Sequence, residues 1–161
     1  AGEESAGASF TKRDGSVWTT DKDGIIMCLL AAEIKAVTGL SPLSYYEKVC
    51  KQLSRATYTK RCDTAVSKEE KIRIAALDKS DIGVVKLGNA TITDIETRSA
   101  YENLSIGGIK VSTADGWIAA RPSGTEDLYK LYSESYRSDE EAESLLQEGK
   151  VLIDEALRDK K

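Results

Sequence analysis

Residues 107–136, GGIKVSTADGWIAARPSGTEDLYKLYSESY, leave the chain few ways to fold. Apolar and polar residues alternate with a period of two, so Ile109, Val111 and Thr113 share one face of a strand. Ala114-Asp115-Gly116 and Pro122-Ser123-Gly124 interrupt that alternation with residues suited to tight turns. Strands joined by connections this short can only run antiparallel. The segments GGIKVST, GWIAA and LYKLYSESY are therefore read as a meander with one apolar face. ATITDIETR, residues 90–98, adds a fourth strand, in which Ile92 and Ile95 share a face only across a bulge.

Helical periods flank this run. Ser138 with Glu141 has capping-box spacing, and Ala142, Leu145, Leu146, Leu152, Ile153 and Ala156 then follow at helical spacing. Ser67 with Glu70 opens an earlier helix carrying Ile72, Ala75, Ala76 and Leu77. Strands linked by hairpins, with a helix before and after, predict an α+β fold: a four-stranded antiparallel sheet covered on one face.

The first third reads differently. ASFTKRDGSVWTT is a hairpin turning in a tight primed turn at Asp14-Gly15. A helix from about Asp23 carries Ile25, Ile26, Leu29, Leu30, Ala32, Ile34 and Val37, with Gly39 as its cap. Ser41-Pro42 starts a second helix, expected to bury Leu43, Tyr46, Val49, Cys50 and Leu53. Residues 54–66 lack a strong period and read as a linker or a short extended piece. A boundary near residue 55 gives two parts, 1–55 and 56–161. The first has too little strand to be complete, and its helices are expected to need a sheet supplied from upstream.

Charge and composition exclude several functions. The formal net charge is −4 and no stripe of basic and aromatic residues stands out, so a nucleic-acid partner is not expected. The longest apolar stretch, IIMCLLAAEIKAV, is too short for a membrane span and contains Glu33 and Lys35. No secretory leader is visible. Three widely spaced cysteines without a single histidine rule out Cys/His zinc sites and a Cys–His nucleophile pair. Free thiols in a reducing cytoplasm fit that usage. Acid–base work near neutral pH would fall to carboxylates or to a lysine of shifted pKa.

The stretch RPSGTEDLYK, 121–130, has the donors an oxyanion needs. Arg121 offers a planar fork matched to phosphate oxygens, and Pro122 keeps it extended. Ser123 and Thr125 supply hydroxyls, Gly124 lets backbone N–H groups approach closely, and Lys130 adds charge from the returning strand. The same residues are also ordinary hairpin chemistry. Glu126 and Asp127 oppose an anion unless they are turned aside.

Two further stretches are candidates. In GEESAG, residues 2–7, Glu3 and Ser5 project together along an extended loop, toward vicinal sugar hydroxyls or simply into solvent as an acidic turn. Asp21, Lys22 and Asp23 are read as capping charges around a lysine, or as a weak carboxylate pair for a metal.

Taken together, GEESAG, RDGSVWTTDKDG and GGIKVSTADGWIAARPSGTEDLYKLYSES closely resemble the C-terminal portion of bacterial phosphoglucomutases, in the α-D-phosphohexomutase superfamily. The likeness is weakest over residues 54–105. It implies that residues 1–55 end a third α/β domain. Residues 56–161 would form a fourth domain, an α+β unit similar to the TATA-binding protein. The implied reaction interconverts glucose 1-phosphate and glucose 6-phosphate through a phosphoserine and a bisphosphorylated sugar that turns over in the cleft.

By the same resemblance, Arg121, Ser123, Gly124 and Thr125 match the phosphate-binding loop, with Lys130 as a second basic contact. Glu3 and Ser5 match the sugar-hydroxyl pair, and Lys22 a basic residue near the reacting group. The likeness further implies Mg2+ in the intact enzyme, glucose bisphosphate as activator and intermediate, a phosphosugar as ligand, and N-terminal domains as partners. The family's nucleophilic serine loop and its Asp-Gly-Asp-Gly-Asp-type metal loop do not occur in these residues and are expected upstream of Ala1. A phosphomannomutase or other phosphohexomutase, or a free-standing phosphosugar- or anion-binding module, are the alternatives.

Overall fold

The computed structural model describes residues 2–3, 7–18 and 22–158. The chain divides into two compact units, Ala1–Arg55 and Ala56–Lys161.

In the first unit, β1 (Gly2–Glu3) pairs antiparallel with β2 (Gly7–Ala8). Helix α1 spans Gly24–Thr38 and α2 spans Pro42–Gln52. Both start as the sequence suggests: Asp23 accepts the N–H groups of Ile25 and Ile26, and Ser41 accepts that of Ser44. The hairpin between β2 and α1 turns over three residues, with Lys12 N–H bonded to Ser16 C=O at 2.7 Å. This replaces the expected primed turn, in which both central residues have positive φ. The Asp14 carboxylate accepts the Ser16 N–H and hydroxyl, and Gly15 alone takes the left-handed conformation, φ 84°. The expected burial along the helices is corrected as well. Neither α1 nor α2 contains a buried residue, and Leu43 and Leu53 are 67% and 71% exposed. Among the described residues of this unit the sheet is only the two-residue pair β1–β2, too small to cover the apolar faces of both helices.

The second unit contains β3 (Tyr58–Ala65), α3 (Lys68–Ala75), β4 (Lys86–Leu87), β5 (Ala90–Arg98), β6 (Ser105–Thr113), β7 (Gly116–Pro122), β8 (Leu128–Ser135) and α4 (Asp139–Arg158). The six strands form one antiparallel sheet in the order β3-β8-β7-β6-β5-β4. The mixed α+β architecture agrees with the sequence, but there are six strands rather than four. The additional two are the edges. β3 occupies the ambiguous residues 54–66, and its helix-facing side, Tyr58, Lys60, Cys62 and Thr64, is too polar to register as a strand in an apolar pattern. The bulge required by Ile92 and Ile95 is present as a register shift between Ile92 and Asp94.

Helices α3 and α4 cover one face, α3 over β6 and β7 and α4 over β8 and β3. The core between layers includes Ile74, Leu77, Ile109, Val111, Ile118, Tyr129, Leu131, Leu145, Leu146 and Ile153. Gly149 lets α4 approach closely, since a Cβ there would lie 3.0 Å from Ile118 Cδ1. On α3 the buried residues are Ile74 and, just beyond its end, Leu77, whereas Ile72 is 70% exposed. Among the described residues of this unit, α3 and α4 lie on one face only, and the alternation places Arg121, Trp117, Lys130 and Tyr132 on the other.

Candidate functional site

Strand alternation fixes Arg121 on the face turned away from α3 and α4. Gly116, Ile118 and Ala120 of β7 are buried under the helices, so Trp117, Ala119 and Arg121 point the other way. Lys130 lies directly opposite Arg121 across the β7–β8 pair, and Asp63 of β3 lies opposite Lys130 on its other side. Directly opposed positions on one face bring side chains close, and like charges there repel. Arg121 and Lys130 therefore form a positive step at the mouth of the hairpin. Asp63 offsets it incompletely, because Arg61 already holds that carboxylate through two bonds of 2.9 and 2.8 Å. The Arg61 hydrogen bonds keep the Asp63 carboxyl below its ordinary 3.8, with a smaller push from Lys130.

The loop between the strands closes through Ser123 N–H to Leu128 C=O, 2.9 Å. Ser123 is only 6% exposed, and its Oγ accepts the Glu126 N–H at 3.3 Å. Its own O–H is the group remaining to donate. Gly124 and Thr125 are exposed, and a Cβ placed on Gly124 would meet nothing within 4 Å, so the backbone at the loop tip is open to a ligand. The acidic half is anchored to the start of α3 through its backbone. Lys71 of α3 donates to the Glu126 carbonyl at 2.6 Å and lies 3.8 Å from the Asp127 carboxylate. Val66 N–H reaches the Asp127 carbonyl at 3.2 Å.

Arg121 also depends on a neighbour. A Cβ on Gly108 would fall on the Ala120 carbonyl oxygen and 3.1 Å from Arg121 Cα and Cβ. Only a bare backbone fits beside the start of this loop.

In the first unit, Gly7 (φ 95°) packs onto the start of α1, where a Cβ would lie 2.6 Å from the Asp23 carbonyl and the Gly24 nitrogen. Asp23 N–H donates to Ala8 C=O at 2.9 Å. The end of GEESAG and the Lys22-Asp23-Gly24 corner, separated in sequence, therefore adjoin. The backbone of Glu3 pairs with Gly7, while Ser5 lies outside the described residues. Lys22 is exposed immediately before the α1 cap.

Sequence reasoning did not single out Arg61, Asp63, Lys71 or Gly108. The alternation of β3 could have placed Asp63 beside Lys130 had the strand been recognised. Lys71 is far from Glu126 in sequence and gives no local signal. A cleft of about 520 Å³ lies elsewhere, lined by Glu70, Arg73, Asp154, Leu157 and Arg158 rather than by the loop. Among the described residues no group of three or more Cys, Asp or Glu side chains converges as metal ligands. No single described helix is long and apolar enough to cross a membrane.

The fold and the loop define an α+β protein with Arg121 and Lys130 opposed across a hairpin, preceded in sequence by a helical piece. Residues 66–149 match the C-terminal domain of phosphoglucomutase/phosphomannomutase, and residues 1–53 match its alpha/beta/alpha domain III. The chain belongs to the phosphoglucomutase/phosphomannomutase family. It is 48% identical over 137 residues to a phosphoglucomutase of Komagataeibacter xylinus, covering 85% of this chain and 24% of that protein. A phosphoglucomutase/phosphomannomutase of Thermococcus kodakarensis is 33% identical over 43% of this chain and 15% of its own. A probable phosphoglucosamine mutase of Thermococcus gammatolerans is 39% identical over 36% and 13%. The chain thus spans about a quarter or less of each relative.

Proposed function

We propose that this chain is the phosphosugar-binding portion of a cytoplasmic phosphoglucomutase. In this reading the intact enzyme interconverts glucose 1-phosphate and glucose 6-phosphate through a phosphoserine and a bisphosphorylated sugar. Arg121, Ser123, Gly124, Thr125 and Lys130 hold the phosphate that is not reacting. The observation that carries this reading is the direct opposition of Arg121 and Lys130 beside the open backbone of Gly124. A dianion between these two positions would meet a guanidinium from one strand and an ammonium from the other.

Glu3 and Ser5 grip sugar hydroxyls from the first unit, and Lys22 assists proton transfer near the reacting group. The TATA-binding-protein-like sheet belongs to the same reading. Mg2+ would supply charge neutralisation at the transferring phosphoryl group in the intact enzyme. The described residues offer it no ligand cluster, so no residue here is assigned to it. The chain holds and orients a phosphosugar but has no residue assigned to donate a phosphoryl group, so it is expected to be inactive alone.

Titration of the chain with glucose 1-phosphate, followed by amide shifts, tests the assignment. Shifts concentrated at 121–125 and lost in Arg121→Ala support it. A flat response there removes its basis. Because the relatives' names cover glucose, mannose and glucosamine phosphates, the same titration with each sugar phosphate ranks the substrate class. A coupled assay on the chain, freed of host enzyme, tests inactivity; turnover would refute it.

A further inference from the structure

We infer that Lys71 is a positioning residue of the phosphate-binding loop, a role that rests on the phosphate reading above. The loop is chemically divided: residues 121–125 donate, whereas Glu126 and Asp127 carry negative charge next to the place a dianion must occupy. Repulsion at that range falls steeply with distance and with a nearby countercharge. Lys71 supplies the countercharge. Its amine bonds the Glu126 carbonyl at 2.6 Å and lies 3.8 Å from the Asp127 carboxylate, with only 19% of its side chain exposed.

The position of that amine is itself fixed. Ser67 caps α3 by accepting the Glu70 N–H, and Glu70 returns a bond from the Ser67 N–H at 2.7 Å. This reciprocal box sets where the first turn begins, and Lys71 N–H closes it onto Ser67 C=O at 3.0 Å. Val66, one residue before the cap, donates to the Asp127 carbonyl. The start of α3 therefore grips successive carbonyls of the acidic half.

The Glu126 backbone is then held on both sides, its C=O accepting from Lys71 and its N–H donating to Ser123 Oγ. With its oxygen committed to that N–H, the Ser123 hydroxyl is left to donate. Lys71 draws Asp127 toward the helix side and adds positive potential behind the loop, without touching the ligand.

The test titrates the full chain with inorganic phosphate, alongside thermal unfolding. Lys71→Met keeps the length and apolar stem of the side chain and is expected to weaken phosphate binding roughly 3- to 10-fold. Lys71→Arg is expected to restore most of the affinity, and Asp127→Asn in the Lys71→Met background to recover part by removing the unneutralised carboxylate. Wild-type affinity in Lys71→Met, whatever its melting temperature, would overturn the inference while Arg121→Ala still abolished binding. If Arg121→Ala also bound normally, the phosphate reading itself would fall and this role with it. Should Lys71→Met lose its fold, Lys71→Gln reads the same claim under the same outcomes.

Discussion

At the scale of single residues, the sharpest constraint on the candidate site is a missing side chain. Gly108 sits where a Cβ would strike the Ala120 carbonyl and crowd Arg121. The neighbouring Gly107 is a glycine for another reason, a left-handed φ of 66° with open space around it. The pair separates shape from strain. Gly107→Ala is expected to cost about 1–2 kcal/mol of stability through backbone strain alone. Phosphate affinity should then stay within error. Gly108→Ala is expected to cost about 1–3 kcal/mol by overpacking and also to displace the end of β7. Urea melts and phosphate titrations on both variants check this; equal affinity in the two would detach Gly108 from the site. The sequence alone offers two adjacent glycines with no means of telling them apart. The candidate donors Arg121, Ser123, Thr125 and Lys130 can be named from the sequence because side-chain chemistry is local, whereas the backbone clearance beside Arg121 is a property of two strands in register.

At the scale of elements, legibility followed length and polarity. Helix α4 is long and one-sided, and each residue of its expected stripe is buried. Helix α3 has eight residues, too few for an apolar pattern to fix its rotation: the expected stripe includes Ile72, which is exposed, and passes over Ile74, which is buried. Strand β3 was hidden because an edge strand has half-polar faces, and its Lys60 is satisfied by a 2.7 Å pair with Asp139 of α4. The capping box of α3 was readable and is present in full. It carries a pH signature. The Ser67 N–H, and then its hydroxyl, hold the Glu70 carboxyl below its ordinary 4.5. A carboxylate whose folded pKa is depressed stabilises fully above its unfolded value, and that stability is lost as pH falls through the folded value. The melting-temperature gap between wild type and Glu70→Gln should therefore stay constant from neutral pH to about 4.5 and close below it. A gap that widened in acid would refute the assignment.

At the scale of the whole molecule, the two units differ in what they bury. The second unit's core joins its helices to the central strands of the sheet, with Ile74, Val111, Tyr129, Leu131 and Ile153 fully enclosed. The helices of the first unit enclose none of their own residues, and Ile25, Leu29 and Val37 of α1 are 75%, 64% and 78% exposed. Helical hydrogen bonds alone sustain short helices poorly in water, since most helix stability comes from packing an apolar face. Opening free energies should therefore separate by unit. In native-state hydrogen exchange, amides of β6, β7, β8 and α4 are expected to exchange only through global unfolding, and those of α1 and α2 faster by roughly two orders of magnitude or more. The same reasoning predicts that residues 56–161, made separately, melt within a few degrees of the full chain, because apolar burial is concentrated in that unit. Protection in α1 equal to that in α4 would mean that the exposed apolar residues of α1 find cover in solution. A fragment that melted well below the full chain would refute the second prediction on its own.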